Sequence, residues 1–183
     1  PVRNVSLAVA PGEIVGIVGE SGSGKTLTAL AIADLLPANA HMTATRYEFL
    51  GEDTRKLTDA QRRRLLGRSL AVVYQDPMSA LNPALHVGRQ LGEVAEVHDG
   101  LSKSQARSRA VDRLRAVRIG NAEARVRQYP HEFSGGMRQR AVIAMGLMTE
   151  PKLIVADEPT TALDVTVQQQ ILKLLRDVST SEG

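Results

Sequence analysis

The feature that most constrains this chain is Gly19-Glu20-Ser21-Gly22-Ser23-Gly24-Lys25-Thr26, a complete G-x-x-x-x-G-K-T pattern. An apolar run, Glu13 to Val18, precedes it, and a helical stretch from Lys25 to Leu36 follows, stopped by Pro37. Glycines at these places let consecutive backbone N–H groups turn inward without a Cβ in the way. The helix behind them adds the positive end of its dipole. Strand, glycine loop and helix together make a cradle for the phosphates of a nucleotide. Lys25 is then placed to reach the β- and γ-phosphates as a point charge, and the Thr26 hydroxyl to ligate Mg²⁺.

The remaining pattern fits an α/β fold with a largely parallel sheet covered by helices. Val2, Val5, Leu7 and Val9 alternate as a strand before the Pro11-Gly12 turn, and 13–18 suits a strand buried on both faces. Tyr47–Leu50 is a further short strand, and the N-terminal portion is expected to be antiparallel β. Leu70–Tyr74 and Leu153–Ala156 are two more strands. Leu57–Leu66 reads as a polar helix, residues 84–128 as helices, and Met137–Met148 and the stretch carrying Val167, Ile171, Leu174, Leu175 and Val178 as two more. Ser102 is an N-cap, with Ala106, Ala110, Val111, Leu114 and Val117 forming one apolar stripe behind it. With 183 residues, 43% hydrophobic, the chain is sized for one domain spanning 1–183, with a helical lobe at about 77–145.

Net charge is +3, too slight to imply a nucleic-acid partner. There is no cysteine, which excludes disulfides and thiolate metal sites. Lys103, Arg107, Arg109, Arg113, Arg115 and Arg118 make the 102–118 helix basic; a solvated face accounts for this, with docking to a partner as the functional alternative. The four histidines share no metal-ligand spacing.

Asp157-Glu158 closes the Leu153–Ala156 strand, at the end of the sheet where α/β folds place their ligands. Asp157 is suited to hold the metal through its water shell, and Glu158 to orient or deprotonate an attacking water.

Phe133-Ser134-Gly135-Gly136-Met137-Arg138-Gln139-Arg140 has no place in a generic phosphate-loop enzyme. It resembles the signature of ATP-binding cassette ATPases, and lies shortly before the acidic strand as in that family. Gln75 is similar to the family's Q-loop glutamine, and Thr161-Ala162-Leu163-Asp164 to its D-loop. The stretches 74–83, 128–133 and 157–168 resemble the dipeptide, oligopeptide and nickel importers, a branch to which Met137 also conforms. The resemblance implies ATP and Mg²⁺ as cofactors, with the metal held by Thr26, Gln75 and Asp157, and catalysis by Glu158, Gln75 and Lys25. It implies a head-to-tail dimer, homomeric or heteromeric, in which Ser134, Gly135, Gly136 and Met137 contact the ATP of the partner subunit and Asp164 touches the partner near its site. It further implies an integral membrane permease on whose cytoplasmic face the ATPase sits, an extracytoplasmic solute-binding protein, and no nucleic acid. A cassette ATPase acting on DNA or ribosomes is the alternative, though no sustained heptads are present. A phosphate-loop kinase is disfavoured by Ser134-Gly135-Gly136. No aromatic residue precedes Tyr47 to stack on adenine, and no histidine follows the last helix to contact the γ-phosphate. The resemblance therefore implies a cassette trimmed at both ends and an impaired ATPase.

Overall fold

The computed structural model describes residues 2–74, 76–161 and 163–181. Its positioning element is a parallel pair, β3 (Leu70–Val73) and β4 (Leu153–Ala156), in register from Leu70 opposite Leu153 to Val73 opposite Ala156. Two further bonds extend the ladder: Lys152 N–H donates to the Ser69 carbonyl at 2.7 Å and Asp157 N–H to the Val73 carbonyl at 2.9 Å. Asp157 is thus fixed one step beyond the strand.

Ahead of this pair come α1 (Lys25–Ile32), an antiparallel hairpin of β1 (Glu48–Phe49) and β2 (Glu52–Asp53), and α2 (Asp59–Ser69), which leads directly into β3. The hairpin turns through Leu50 at φ 53° and Gly51 at φ 82°, the paired left-handed residues of a two-residue connection. Between the strands of the parallel pair lie α3 (Pro77–Ala80), α4 (Val87–Asp99), α5 (Lys103–Ala116), α6 (Ala122–Arg125) and α7 (Gly135–Gly146), and α8 (Val165–Ser181) follows. Local chemistry explains the helix starts. Thr58 caps α2 and Ser102 caps α5, each in a reciprocal capping box with the glutamine three residues on.

The main core lies where α4, α5, α7 and α8 meet. Leu91, Leu114, Ile143, Met148, Ile171 and Leu174 are fully buried there, and the α5 stripe expected from the sequence is inside at Ala106, Ala110, Leu114 and Val117. A smaller cluster of Ala33, Phe49, Leu66 and Leu70 joins α1, the hairpin and α2 to the sheet.

Two expectations are corrected. Residues 2–9 and 13–18 form no strand, and the antiparallel β portion is the 48–53 hairpin alone among the described residues. Instead of being buried on both faces, the 13–18 run is open, with Ile14 62%, Ile17 50% and Val18 97% exposed. An isolated strand has no ladder to satisfy its backbone; the pairing of β3 is with β4, and these residues contribute no ladder to either. The second correction is the end of α1, at Ile32 rather than Leu36. Asp34 takes a left-handed φ of 57°, its N–H bonding the Ala31 carbonyl while that of Leu35 bonds the Leu30 carbonyl at 2.9 Å. That is a Schellman stop, built on aspartate instead of glycine. Arg62 holds the same aspartate at 2.7 Å.

Candidate functional site

The glycine loop turns on two left-handed residues, Gly22 at φ 81° and Gly24 at φ 94°. Neither position tolerates a side chain at ordinary cost. A Cβ at Gly24 would also fall 2.4 Å from a Val2 methyl, and one at Gly19 would fall 2.7 Å from Ser23 Oγ. Where α2, α5 and α7 have side-chain caps from Thr58, Ser102 and Ser134, the first turn of α1 has none. Its N-cap supplies no side-chain acceptor to the N–H groups there.

Lys25 folds over the loop. Its ammonium donates to the carbonyls of Gly19 at 2.9 Å and Glu20 at 3.0 Å, and lies 3.8 Å from Glu158 Oε1. Thr26 Oγ1 donates to Asp157 Oδ1 at 3.2 Å. The loop and the end of β4, far apart in sequence, are therefore joined twice, through a cation and through a hydroxyl. Glu158 has a φ of 45°, rare for a residue with a Cβ, and its Oε2 accepts from Thr161 Oγ1 at 3.0 Å. A strained backbone at such a place aims the carboxylate back toward the loop. One ammonium, one hydroxyl and two carboxylates converge beside a rim of glycine N–H groups. Chemically such a set can bind a polyanion, offer hard oxygens to a divalent cation and supply a base.

Ser134 caps α7, its Oγ accepting from Met137 N–H at 3.3 Å, so one N–H of this helix start is already engaged within the chain. Ser134 and Gly135 are exposed, Gly136 and Met137 half-buried. A Cβ on Gly135 would meet a Leu163 methyl at 3.7 Å; one on Gly136 would lie 2.9 Å from Val167 Cγ1. Gly136 thus lets α7 close against α8, a packing duty its place in the signature did not suggest. Asp164 caps the start of α8, accepting from Val167 N–H at 3.0 Å. Gln168 ties the preceding loop down by donating to the carbonyls of Thr160 and Leu163, both at 3.0 Å. Gln75 lies outside the described residues.

Sequence reasoning named Thr161 and Val2 but missed their roles here: Thr161 holds Glu158, and Val2 covers Gly24. A hydroxyl three residues after the acid was a readable sign of the first; nothing in the sequence pointed to the second.

The family model described as ABC transporter matches residues 2–161. The chain belongs to that family. Among curated relatives, the dipeptide transport ATP-binding protein DppD of Escherichia coli (strain K12) is 48% identical over 182 residues, covering 100% of this chain and 56% of the relative. The oligopeptide transport ATP-binding protein OppD of Bacillus subtilis (strain 168) is 48% identical over 178 residues, 97% of this chain and 50% of the relative. The chain thus spans about half the length of the curated ABC relatives it matches. Among solved structures, the dimeric post-hydrolysis state of the ATP-binding cassette MJ0796 bound to ADP and Pi superposes with a TM-score of 0.82 at 28% identity, over 98% of this chain and 75% of that one. No helix among the described residues is long and apolar enough to cross a membrane.

Proposed function

We propose that this chain is the ATP-binding and ATP-hydrolysing part of an importer subunit that powers uptake of peptides, or a related small solute such as nickel, through an integral membrane permease. The observation that carries the reading is the double junction of Lys25 with Glu158 and Thr26 with Asp157, at 3.8 and 3.2 Å. The names of the relatives, dipeptide and oligopeptide transport proteins, support the cargo class.

In this reading the backbone N–H groups of residues 19–24 take the phosphates, with Glu20, Ser21 and Ser23 shaping the loop between its glycines. Lys25 exchanges its two loop carbonyls for phosphate oxygens. Thr26 and Asp157 fit Mg²⁺, since a hydroxyl and a carboxylate are the hard oxygens this ion takes; Gln75 completes the set. When bound, Mg²⁺ neutralises charge on the triphosphate. Glu158 accepts a proton from, or orients, the attacking water, held in place by Thr161.

Residues 1–183 then form one nucleotide-binding domain with a helical lobe at about 77–145. A second ATPase subunit, identical or related, receives Ser134, Gly135, Gly136 and Met137 at its own ATP, with Asp164 beside the junction. The dimer works on the cytoplasmic face of the membrane, and an extracytoplasmic solute-binding protein delivers the cargo. A ligand that binds the closed dimer better than the open one can do work on a permease.

The test is calorimetry of Mg-ATP binding to the full-length protein, together with co-purification of its permease. Magnesium-dependent binding abolished by Lys25→Ala, and recovery of the permease, are the expected results. Undiminished affinity in that variant, or ATP-dependent capture of DNA instead of a permease, overturns the proposal.

A further inference from the structure

Of the six cations carried by residues 102–118, on α5 and just beyond its end, four are neutralised by ion pairs within the chain. Arg109 pairs with Asp99 at 2.5 Å, Arg113 with Glu150 at 2.6 Å, Arg115 with Asp112 at 2.8 Å, and Arg118 with Asp177 at 2.6 Å. Among the described residues, Lys103 and Arg107 form no ion pair, and both border the same groove of about 600 Å³ between α4, α5 and the segment after α6. Arg127 borders it from the third side and is likewise unpaired among the described residues. The groove's single carboxylate, Glu96, is taken by Arg89 at 2.7 Å.

Gly88 and Gly92 are themselves buried: a Cβ at Gly88 would lie 2.6 Å from the Val126 carbonyl oxygen, and one at Gly92 would touch Ala106 Cβ at 3.5 Å, so they let α4 pack against the segment after α6 and against α5. The exposed lining of the groove is mainly apolar and lies between three solvated cations.

We infer that this groove docks an acidic, partly apolar stretch of polypeptide from a partner protein. Its aliphatic side chains lie on that lining, while its carboxylates meet Lys103, Arg107 and Arg127. Two competing occupants fit less well. Anionic membranes are recognised by clusters of roughly four to eight basic residues, more than the three free cations present. A lone phosphate would use the N-terminal N–H groups of α5, but the Ser102–Gln105 capping box already engages that helix start. The inference stands apart from the nucleotide site, so its failure and that of the importer reading are read by different signals.

The probe is a fluorescein-labelled hexapeptide of alternating glutamate and leucine, titrated against the full-length protein by fluorescence anisotropy. Affinity is expected to fall as salt rises from about 50 to about 200 mM. It should fall a further tenfold or so in K103E/R107E/R127E, a charge reversal at three exposed positions. The variant R46E/R63E/R64E, with the same change in net charge away from the groove, should bind within about twofold of the native protein. In the unmutated protein, the peptide should protect Lys103 from acylation, read by mass spectrometry, so the result does not rest on variants alone. Equal binding by the two triple variants, or an unprotected Lys103 at saturating peptide, overturns the proposal. So does groove-dependent binding to vesicles of anionic phospholipid without binding to the peptide, or displacement of the peptide by inorganic phosphate at equal concentration.

Discussion

Thr26 Oγ1 and Asp157 Oδ1 meet at 3.2 Å, which makes the first turn of α1 and the residue after β4 a single unit. Asp157→Asn keeps an acceptor for the hydroxyl and removes the charge. Affinity for Mg-ATP is expected to fall at least about tenfold, or 1.4 kcal/mol, while affinity measured in chelator changes little. The thermal melt should move by less than about 1 kcal/mol, since the bond is exposed and neutral substitutes serve. Calorimetry with and without magnesium reads the first effect, and a melt reads the second.

Glu158 sits between Lys25 at 3.8 Å and Thr161 at 3.0 Å. Glu158→Gln preserves size and hydrogen bonding but not basicity. In the full-length protein, turnover should drop by about 10²–10⁴, the usual worth of a positioned base, with ATP still bound. Light scattering should show an ATP-dependent dimer that persists for as long as turnover is blocked. A monomer in the presence of Mg-ATP would contradict the assignment.

Gly136 separates α7 from α8 by the thickness of a missing methyl group. In Gly136→Ala the new Cβ lies 2.9 Å from Val167 Cγ1, and a β-branched side chain on a helix has little freedom to swing aside. Overpacking should cost about 1–2 kcal/mol, more than the gain of up to about 1 kcal/mol from alanine's helix propensity. Adding Val167→Ala should return most of the loss. A double-mutant cycle on urea midpoints measures the coupling, and additive effects would argue against the contact.

Asp53 supplies a pH prediction. Its hydrogen bond from the Arg55 side chain, above all, holds the carboxyl down to about 2. A pKa lowered on folding gives stability that is present above the unfolded value, near 3.9, and disappears as pH falls toward 2. Melts of the native protein and of Asp53→Asn should differ above about pH 4 and converge as the pH is lowered through that window. A difference that stays constant from pH 5 to 2 would remove Asp53 from the acid response.

How much of this was legible in the sequence follows from how local each signal is. The Ser102 cap and the apolar stripe of α5 are set by residues within one helix, and both are in place. β4 runs from Leu153 to Ala156 as its apolar composition predicts, and the glycine loop bends where its glycines allow. The Glu13–Val18 run has the composition of a buried strand, yet whether it becomes one depends on a lateral neighbour, which no local pattern encodes. The end of α1 was hidden for a different reason: an aspartate does there what glycine ordinarily does, helped by Arg62 from another helix. Gly136 and Val167 are brought together only by the closing of two helices, so the steric duty of the glycine is invisible until they meet.

The open Glu13–Val18 run also sets how concentrated solutions of this chain should behave. It is rich in β-branched residues, lacks proline, and carries its only charge at Glu13. Such a segment can template edge-to-edge pairing between molecules, the first step toward ordered aggregates. A lysine in place of Val18, where 97% of the residue already meets water, is the natural gatekeeper. It should raise colloidal stability while leaving the core of α4, α5, α7 and α8 untouched.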